Sequence, residues 1–500
     1  MSKRVCFLLL FAWGVGVLFI SCSRHPSAIH SFTATERLQS ELERLFSAPE
    51  FANAHWGVAI QSLETGNFLY LRNAGKGFMP ASNMKLFTTS AVLVGLGPDY
   101  HYHTTLFATT GPDSNGVLAG DLIIRGSGDP SISGRYFDGD ITHVLDEWAR
   151  ALKKLGITSI EGNIIGDDNV FEDEIMGHGW AWDYQTDYYA AQISALSLND
   201  NCVDLIFSPG DSAGSIANLE MIPSTDYILL ENRVVTTDNP AGTRIRVHRE
   251  RNTNHIVCSG TIDIDEHKVV EWATVENPTK YTVRVFREIL MKHGIGVKGV
   301  AVDIDELTGY HYSADAGRVL HDYISPPMGT IVETINKKSQ NLFAELVLRT
   351  LGKEISGRGS AKGGVKASKS IFTEMGIHPD YLVMADGSGL SRKNLVTPLS
   401  VITLLRFMRH HQYGELFYDT LPIAGVDGTI YKRMRHTAAF QNVRAKTGTI
   451  DRCRALSGYV NTRDGEELVF SMIVNNHTVP TSLADRIQDL VCERLANFSR

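Results

Sequence analysis

Three short stretches of this 500-residue chain carry side chains that together could perform acyl transfer. Ser82-Asn83-Met84-Lys85 is the one Ser-x-x-Lys in the sequence. On a helix the lysine shares the serine's face, with Cβ atoms about 5–6 Å apart. A serine hydroxyl is a poor nucleophile until a neighbouring base takes its proton, and a lysine serves if burial and nearby positive charge lower its pKa toward ~7–8. The alternative is a capping serine beside a solvated lysine. Lys446-Thr447-Gly448-Thr449 is a rarer signal, since Lys-Thr-Gly is expected only about 0.1 times by chance in such a composition. It ends a strand-like run, where Lys446 would present a fixed positive charge to a substrate carboxylate. Gly448 would let a substrate backbone lie along the edge without a side-chain clash. A third element, Ser339-Gln340-Asn341, offers a second serine and an amide, but Ser197-Leu198-Asn199 has the same pattern. Order along the chain and the preceding Lys337 and Lys338 favour Ser339.

The elements that must position these groups are legible in outline. Residues 33–46 place Leu38, Leu42, Leu45 and Phe46 on one helical face. Residues 56–62 and 68–73 flank Glu64-Thr65-Gly66-Asn67 and read as a β-hairpin. A helix opens near Ala81, which puts Ser82 at its N-terminus, and closes at Gly95 or Gly97. Residues 330–351 read as one helix containing Ser339, and the Gly/Ser-rich 356–364 as a hinge or cap before another. Strand-like runs at 444–446, 455–461 and 468–474 precede a closing amphipathic helix over 481–498. Between these parts the character changes. From about 100 to 305 short β-rich runs are broken by Gly, Asp and Asn, with one helix over 141–155. The pattern is an α+β domain interrupted by a large β-rich insert. We place the domain at 22–105 and 300–500, and the insert, with two β-rich subdomains, at 106–299.

Composition bounds the remaining choices. Hydrophobic residues make up 43% and charged residues 21%, as in a globular rather than a disordered or fibrous protein. A net charge of −8 offers no basic footprint for nucleic acid. Lys3 and Arg4, an apolar stretch from Val5 to Ile20 and a small-residue junction make residues 1–21 a secretory signal. Phe19-Ile20-Ser21-Cys22 is similar to a bacterial lipoprotein cleavage box, which would place a lipid on Cys22. Cys202, Cys258, Cys453 and Cys492 contain no C-x-x-C, so neither zinc nor redox chemistry is indicated, and both disulfides and free thiols stay open. His101/His103 and His410/His411 lack an H-E-x-x-H arrangement and read as surface histidines, so no metal and no cofactor is expected.

Ser-x-x-Lys, Ser-x-Asn and Lys-Thr-Gly in this order resemble the signature set of serine D,D-peptidases and class A β-lactamases. The 257 residues separating Ser82 from Ser339 point to one branch. The chain resembles the D-alanyl-D-alanine carboxypeptidase/endopeptidase family, the low-molecular-mass class C penicillin-binding proteins. Further likeness lies in GDLIIRGSGDPSIS (120–133), WAWDYQTDYYAAQISALSLNDN (180–201), DGSGLSRKNLVTP (386–398) and LPIAGVDGTI (421–430). The resemblance implies a penicillin-binding fold and an exported enzyme acting on peptidoglycan stem peptides. Ser82 would be the nucleophile, Lys85 its base and Ser339 a proton relay. Asn341, Lys446, Thr447, Gly448 and Thr449 would bind substrate, and the N–H groups of Ser82 and Thr449 would form the oxyanion hole. β-Lactams would acylate Ser82. Two rival readings are a β-lactamase-like hydrolase, which would turn penicillin over quickly, and a non-catalytic wall-binding scaffold, for which Ser82 together with Lys85 has no physical use.

Overall fold

The computed structural model describes residues 32–239, 242–312 and 317–500. The expected signal at 1–21 and the lipid expected on Cys22 lie outside the described residues.

One five-stranded antiparallel sheet is central. Its strands run in the order Arg444–Ile450, Cys453–Asn461, Glu467–Asn475, His55–Ser62 and Phe68–Arg72. The hairpin and the three late strands expected from the sequence thus share a sheet, although some 370 residues separate them. Alternation along His55–Ser62 explains how. Trp56, Val58 and Ile60 face one core together with Leu38, Leu42 and Phe46 of helix Ala34–Phe46 and Ile487, Val491 and Leu495 of helix Thr481–Ala496. Ala59 joins the opposite core with Val469 and Ile473. Both faces are therefore covered, and each fully buried aliphatic side chain contributes about 1.5–3 kcal/mol of transfer free energy. Helix Ala34–Phe46 starts at a capping box, in which the Thr33 hydroxyl accepts the Glu36 N–H while Glu36 accepts the Thr33 N–H.

The second core packs Met84, Phe87 and Val92 of helix Met84–Leu96 against Phe343 and Val347 of helix Asn341–Ser356. Residues 341–352 are buried on every side, so that helix runs through the interior of the domain. Gly97, with φ 86°, ends helix Met84–Leu96.

A separate core lies within residues 103–324. Its five-stranded sheet has the order Ala301–Asp303, Ile164–Asp167, Leu122–Arg125, His103–Ala108 and Arg318–Ile324. Strand Arg318–Ile324 pairs with His103–Ala108, so the sheet reaches beyond 106–299 at both ends. Three three-stranded sheets accompany it, along with helices His143–Lys154 and Pro278–Lys292. The second of these helices is not expected from the sequence, although Asn277 caps it and Pro278 occupies its first turn. Cys202, Cys258, Cys453 and Cys492 are all buried free thiols.

Candidate active site

Ser82 sits in a tight turn, Ala81–Asn83, that feeds directly into helix Met84–Leu96. The turn is pressed against strand Arg444–Ile450. A Cβ at Gly448 would lie 2.5 Å from the Pro80 carbonyl oxygen, so this glycine serves the approach of the turn to the strand. The sequence suggests clearance for substrate; the nearer obstacle is the protein's own backbone. Asn83 secures the same junction. With its amide oriented so that both ends find partners, it donates to the Lys446 carbonyl at 3.0 Å and accepts from the Ser457 hydroxyl at 2.6 Å.

Lys85 lies one turn further and is completely buried. Its Nζ is 2.9 Å from Ser82 Oγ, 2.6 Å from Asn341 Oδ1 and 2.6 Å from the Ser388 carbonyl oxygen. Burial pulls its pKa from 10.5 to about 7, against the opposing pull of Asp386 and Glu345. A solvated lysine beside a capping serine is thereby excluded.

Ser339 departs from expectation in its conformation. Instead of lying within one helix over 330–351, it sits between Met328–Lys338 and Asn341–Ser356 with φ 60°. Apolar residues continue on both sides at helical spacing, which hides the break from periodicity. A left-handed serine costs about 1–3 kcal/mol unless its surroundings fix it. Three contacts do so. Ser339 Oγ accepts from Lys446 Nζ at 2.8 Å, Gln340 Nε2 donates to Asp200 Oδ2 at 2.7 Å, and Asn341 Nδ2 donates to the Tyr189 carbonyl at 2.7 Å.

Strand Arg444–Ile450 contains the whole Lys446–Thr449 motif rather than ending before it. Lys446 is fully buried and also donates to the Thr447 carbonyl at 3.0 Å. Burial first, and the nearby Lys85 second, push its pKa well below the usual lysine range. Both influences work against the fixed positive charge expected from the sequence. Thr447 Oγ1 shares a hydrogen bond of 2.7 Å with Thr429 Oγ1, and Thr449 Oγ1 accepts from Arg454.

The Asp386–Leu390 loop closes the floor. Buried Asp386 accepts from the Gly389 and Ser391 N–H groups, from Asn394 Nδ2 and from Trp180 Nε1. Gly389, with φ +86°, passes so close to Ala81 that a Cβ would lie 1.8 Å from its carbonyl oxygen. Above this floor Ser82, Ser339, Asn341, Thr447 and Thr449 open into one cleft of about 660 Å³, whose rim includes Tyr188, Tyr189 and Arg452.

Five of the eight expected site residues line this cleft, Lys85 and Lys446 lie buried behind it bonded to Ser82 and Ser339, and Gly448 packs against the turn bearing Ser82. The rival Ser197 is not among them: its hydroxyl donates to the Ser194 carbonyl and accepts from Asn201, while Asn199 turns to Asp204. His101 and His103 are engaged by the Ser325 carbonyl and Asp322, and His410 by the Arg406 carbonyl. Cys453 has a structural place, with Sγ 3.0 Å from the Met79 carbonyl and 3.1 Å from Asn475 Nδ2, and burial raises its pKa to about 12. Tyr189, Asp200, Ser388 and Thr429 carry no individual signal in the sequence that marks them as site residues. They fall within the longer strings that carry the family resemblance, but a string assigns no role to one residue.

Comparison with known proteins agrees with this geometry. The model of the D-Ala-D-Ala carboxypeptidase 3 (S13) family matches residues 38–497, and the chain belongs to that family. It is 33% identical over 473 residues to a D-alanyl-D-alanine carboxypeptidase of Actinomadura sp. (strain R39), covering 92% of this chain and 85% of that one. To D-alanyl-D-alanine carboxypeptidase DacB of Haemophilus influenzae it is 28% identical over 453 residues, with 87% and 90% covered. The crystal structure of penicillin binding protein 4 from the same organism aligns with a TM-score of 0.78 at 25% identity, over 92% of this chain and 99% of that one. That protein has also been crystallised with a β-lactam. The fold is thus the α+β penicillin-binding fold, and the protein is a serine-type D-Ala-D-Ala carboxypeptidase.

Proposed function

We propose that this carboxypeptidase works through an acyl-enzyme on Ser82, with Lys85 as the base. The observation that carries the reading is the 2.9 Å separation of Lys85 Nζ from Ser82 Oγ, for a lysine that burial brings to about 7. A neutral amine at that distance can accept the hydroxyl proton as Oγ attacks. The target is the carbonyl of the penultimate D-Ala in a stem peptide ending in D-Ala-D-Ala. The Ser82 and Thr449 N–H groups hold the developing oxyanion, each such donor being worth ~2.7–4 kcal/mol. When the C–N bond breaks, Ser339 passes a proton to the leaving amine, and Lys446 at 2.8 Å sets the field for that transfer. Lys446, Thr447 and Thr449 bind the terminal carboxylate, Gly448 keeps the turn bearing Ser82 close to their strand, and Asn341 bonds to the substrate backbone. Water then releases the acyl group.

Cleavage of D-Ala–diamino-acid cross-links uses the same steps with a different amine leaving. A β-lactam acylates Ser82 in place of the peptide. Export to the periplasm and a lipid on Cys22 complete the reading. Among the described residues no helix is long and apolar enough to cross a membrane.

The direct test is release of D-Ala from a stem pentapeptide by the wild type and by Ser82→Ala. Loss of release in a variant that still melts like the wild type supports the acyl-enzyme; retained release overturns it.

A further inference from the structure

Glu345 lies in the interior helix Asn341–Ser356, is fully buried, and belongs to none of the three motifs. One carboxylate oxygen, Oε1, accepts two backbone hydrogen bonds, from Gly387 N–H at 3.0 Å and Ser388 N–H at 2.8 Å. The other, Oε2, accepts from Arg349 Nη1 at 2.9 Å, one helical turn away. Three donors meet the carboxyl group and no acceptor does, which is the environment of an ionised carboxylate. Burial and Asp386 push its pKa upward, while the Arg349 guanidinium opposes them.

The peptide unit that Glu345 grips leads straight to the catalytic lysine. Ser388 gives its N–H to Glu345 and its carbonyl to Lys85 Nζ, at 2.8 and 2.6 Å. The preceding Gly387 carbonyl accepts from Thr88 Oγ1 at 2.6 Å, so the loop is clamped from two helices at once. We propose that Glu345 is a positioning residue for Lys85: it fixes the Ser388 carbonyl on which the amine docks and supplies buried negative charge behind that carbonyl.

The charged groups facing Lys85 are few. Asp386 on the loop and Glu345 on the interior helix favour its protonated form, and Lys446 on the neighbouring strand is the nearby lysine whose own charged form Lys85 disfavours. Of the two anions, Asp386 is engaged by four donors that hold the loop itself, whereas Glu345 ties that loop to the helix beginning at Asn341. Since Asn341 Oδ1 also accepts from Lys85, that helix presents one acceptor directly and one through Glu345 and the loop. The lysine is thereby held at a set point of position and charge, aimed at Ser82.

This inference rests on Lys85 being the base, and its failure is distinguishable from failure of that reading. The test follows the acid limb of the pH–rate profile for acylation in Glu345→Gln, whose amide oxygen can still accept from the loop. Removing the negative charge should lower the pKa of Lys85 and move the limb down by about 1–3 units. It should also reduce the rate on the plateau, because a less basic amine is a weaker proton acceptor. Because the single change leaves Arg349 buried and unpaired, Glu345→Gln/Arg349→Leu is measured beside it and should move the limb in the same direction by a smaller amount, since the lost guanidinium charge acts in the opposite sense. A limb that stays in place in whichever variant folds overturns the proposal, as does failure of both to fold, which would mark a purely structural ion pair. If Lys85 were not the base, the wild-type limb itself would survive Lys85→Met, and that outcome is distinct from all of these.

Discussion

Lys446 Nζ lies 2.8 Å from Ser339 Oγ, across 107 residues of sequence. The contact joins a strand of the main sheet to the left-handed turn between two helices, and it places beside Ser339 a buried amine whose charged form burial disfavours. On the proposed reading a substrate carboxylate favours the charged form of Lys446 against burial, so its value to binding depends on the substrate's free C-terminus. Lys446→Met is expected to lower kcat/KM for a peptide ending in free D-Ala-D-Ala by about ten- to a hundredfold, in line with hydrogen bonds to charged groups. The amidated peptide should lose much less. Equal losses on both substrates would contradict the assignment of Lys446 to the carboxylate.

Lys85 makes a prediction of opposite sign to that of an ordinary acid catalyst. The base form is the neutral amine, and burial sets its pKa at about 7. Below that value the neutral fraction falls tenfold per unit of pH, so kcat/KM for acylation should rise with pH through about 7 and then level. Lys85→Arg keeps the positive charge but cannot give up its proton, and it should lose at least about a hundredfold, within the usual range for a general base. An acylation rate that is flat between about pH 5 and pH 9 would remove Lys85 from this role.

Asp200 predicts a separation of activity from stability. It is itself left-handed, with φ 57°, and it accepts from Gln340 while pairing with Arg135. Asp200→Gly tolerates the backbone and deletes both contacts. The turn carrying Ser339 should loosen, lowering kcat/KM about three- to tenfold, the worth of a hydrogen bond, with little change in melting temperature. A large drop in melting temperature with unchanged kcat/KM would make Asp200 a structural residue only.

Part of this architecture is legible in the amino-acid sequence. Ser82 and Lys85 sit three residues apart at a helix start, so local geometry alone puts them face to face. The strand-like runs at 455–461 and 468–474 lie close together in sequence, joined through Arg463-Asp464-Gly465, and they pair with each other. What local pattern does not carry is the conformation of Ser339, because its left-handed φ is held by contacts with residues 107, 140 and 152 positions away along the chain from Ser339, Gln340 and Asn341 respectively. The lowered pKa of Lys446 is hidden for the same reason: burial and the proximity of Lys85 are tertiary facts. The insert's sheet overruns its expected edges because strand Arg318–Ile324 is short, half-polar and indistinguishable from the domain that follows until it pairs with His103–Ala108.

The most direct measurement is the site of penicillin attachment. Incubating the protein with a labelled penicillin and sequencing the labelled peptide by mass spectrometry should place one long-lived acyl group on Ser82, absent from Ser82→Ala. Label on another residue, no label at all, or rapid turnover without a lasting adduct would contradict the account.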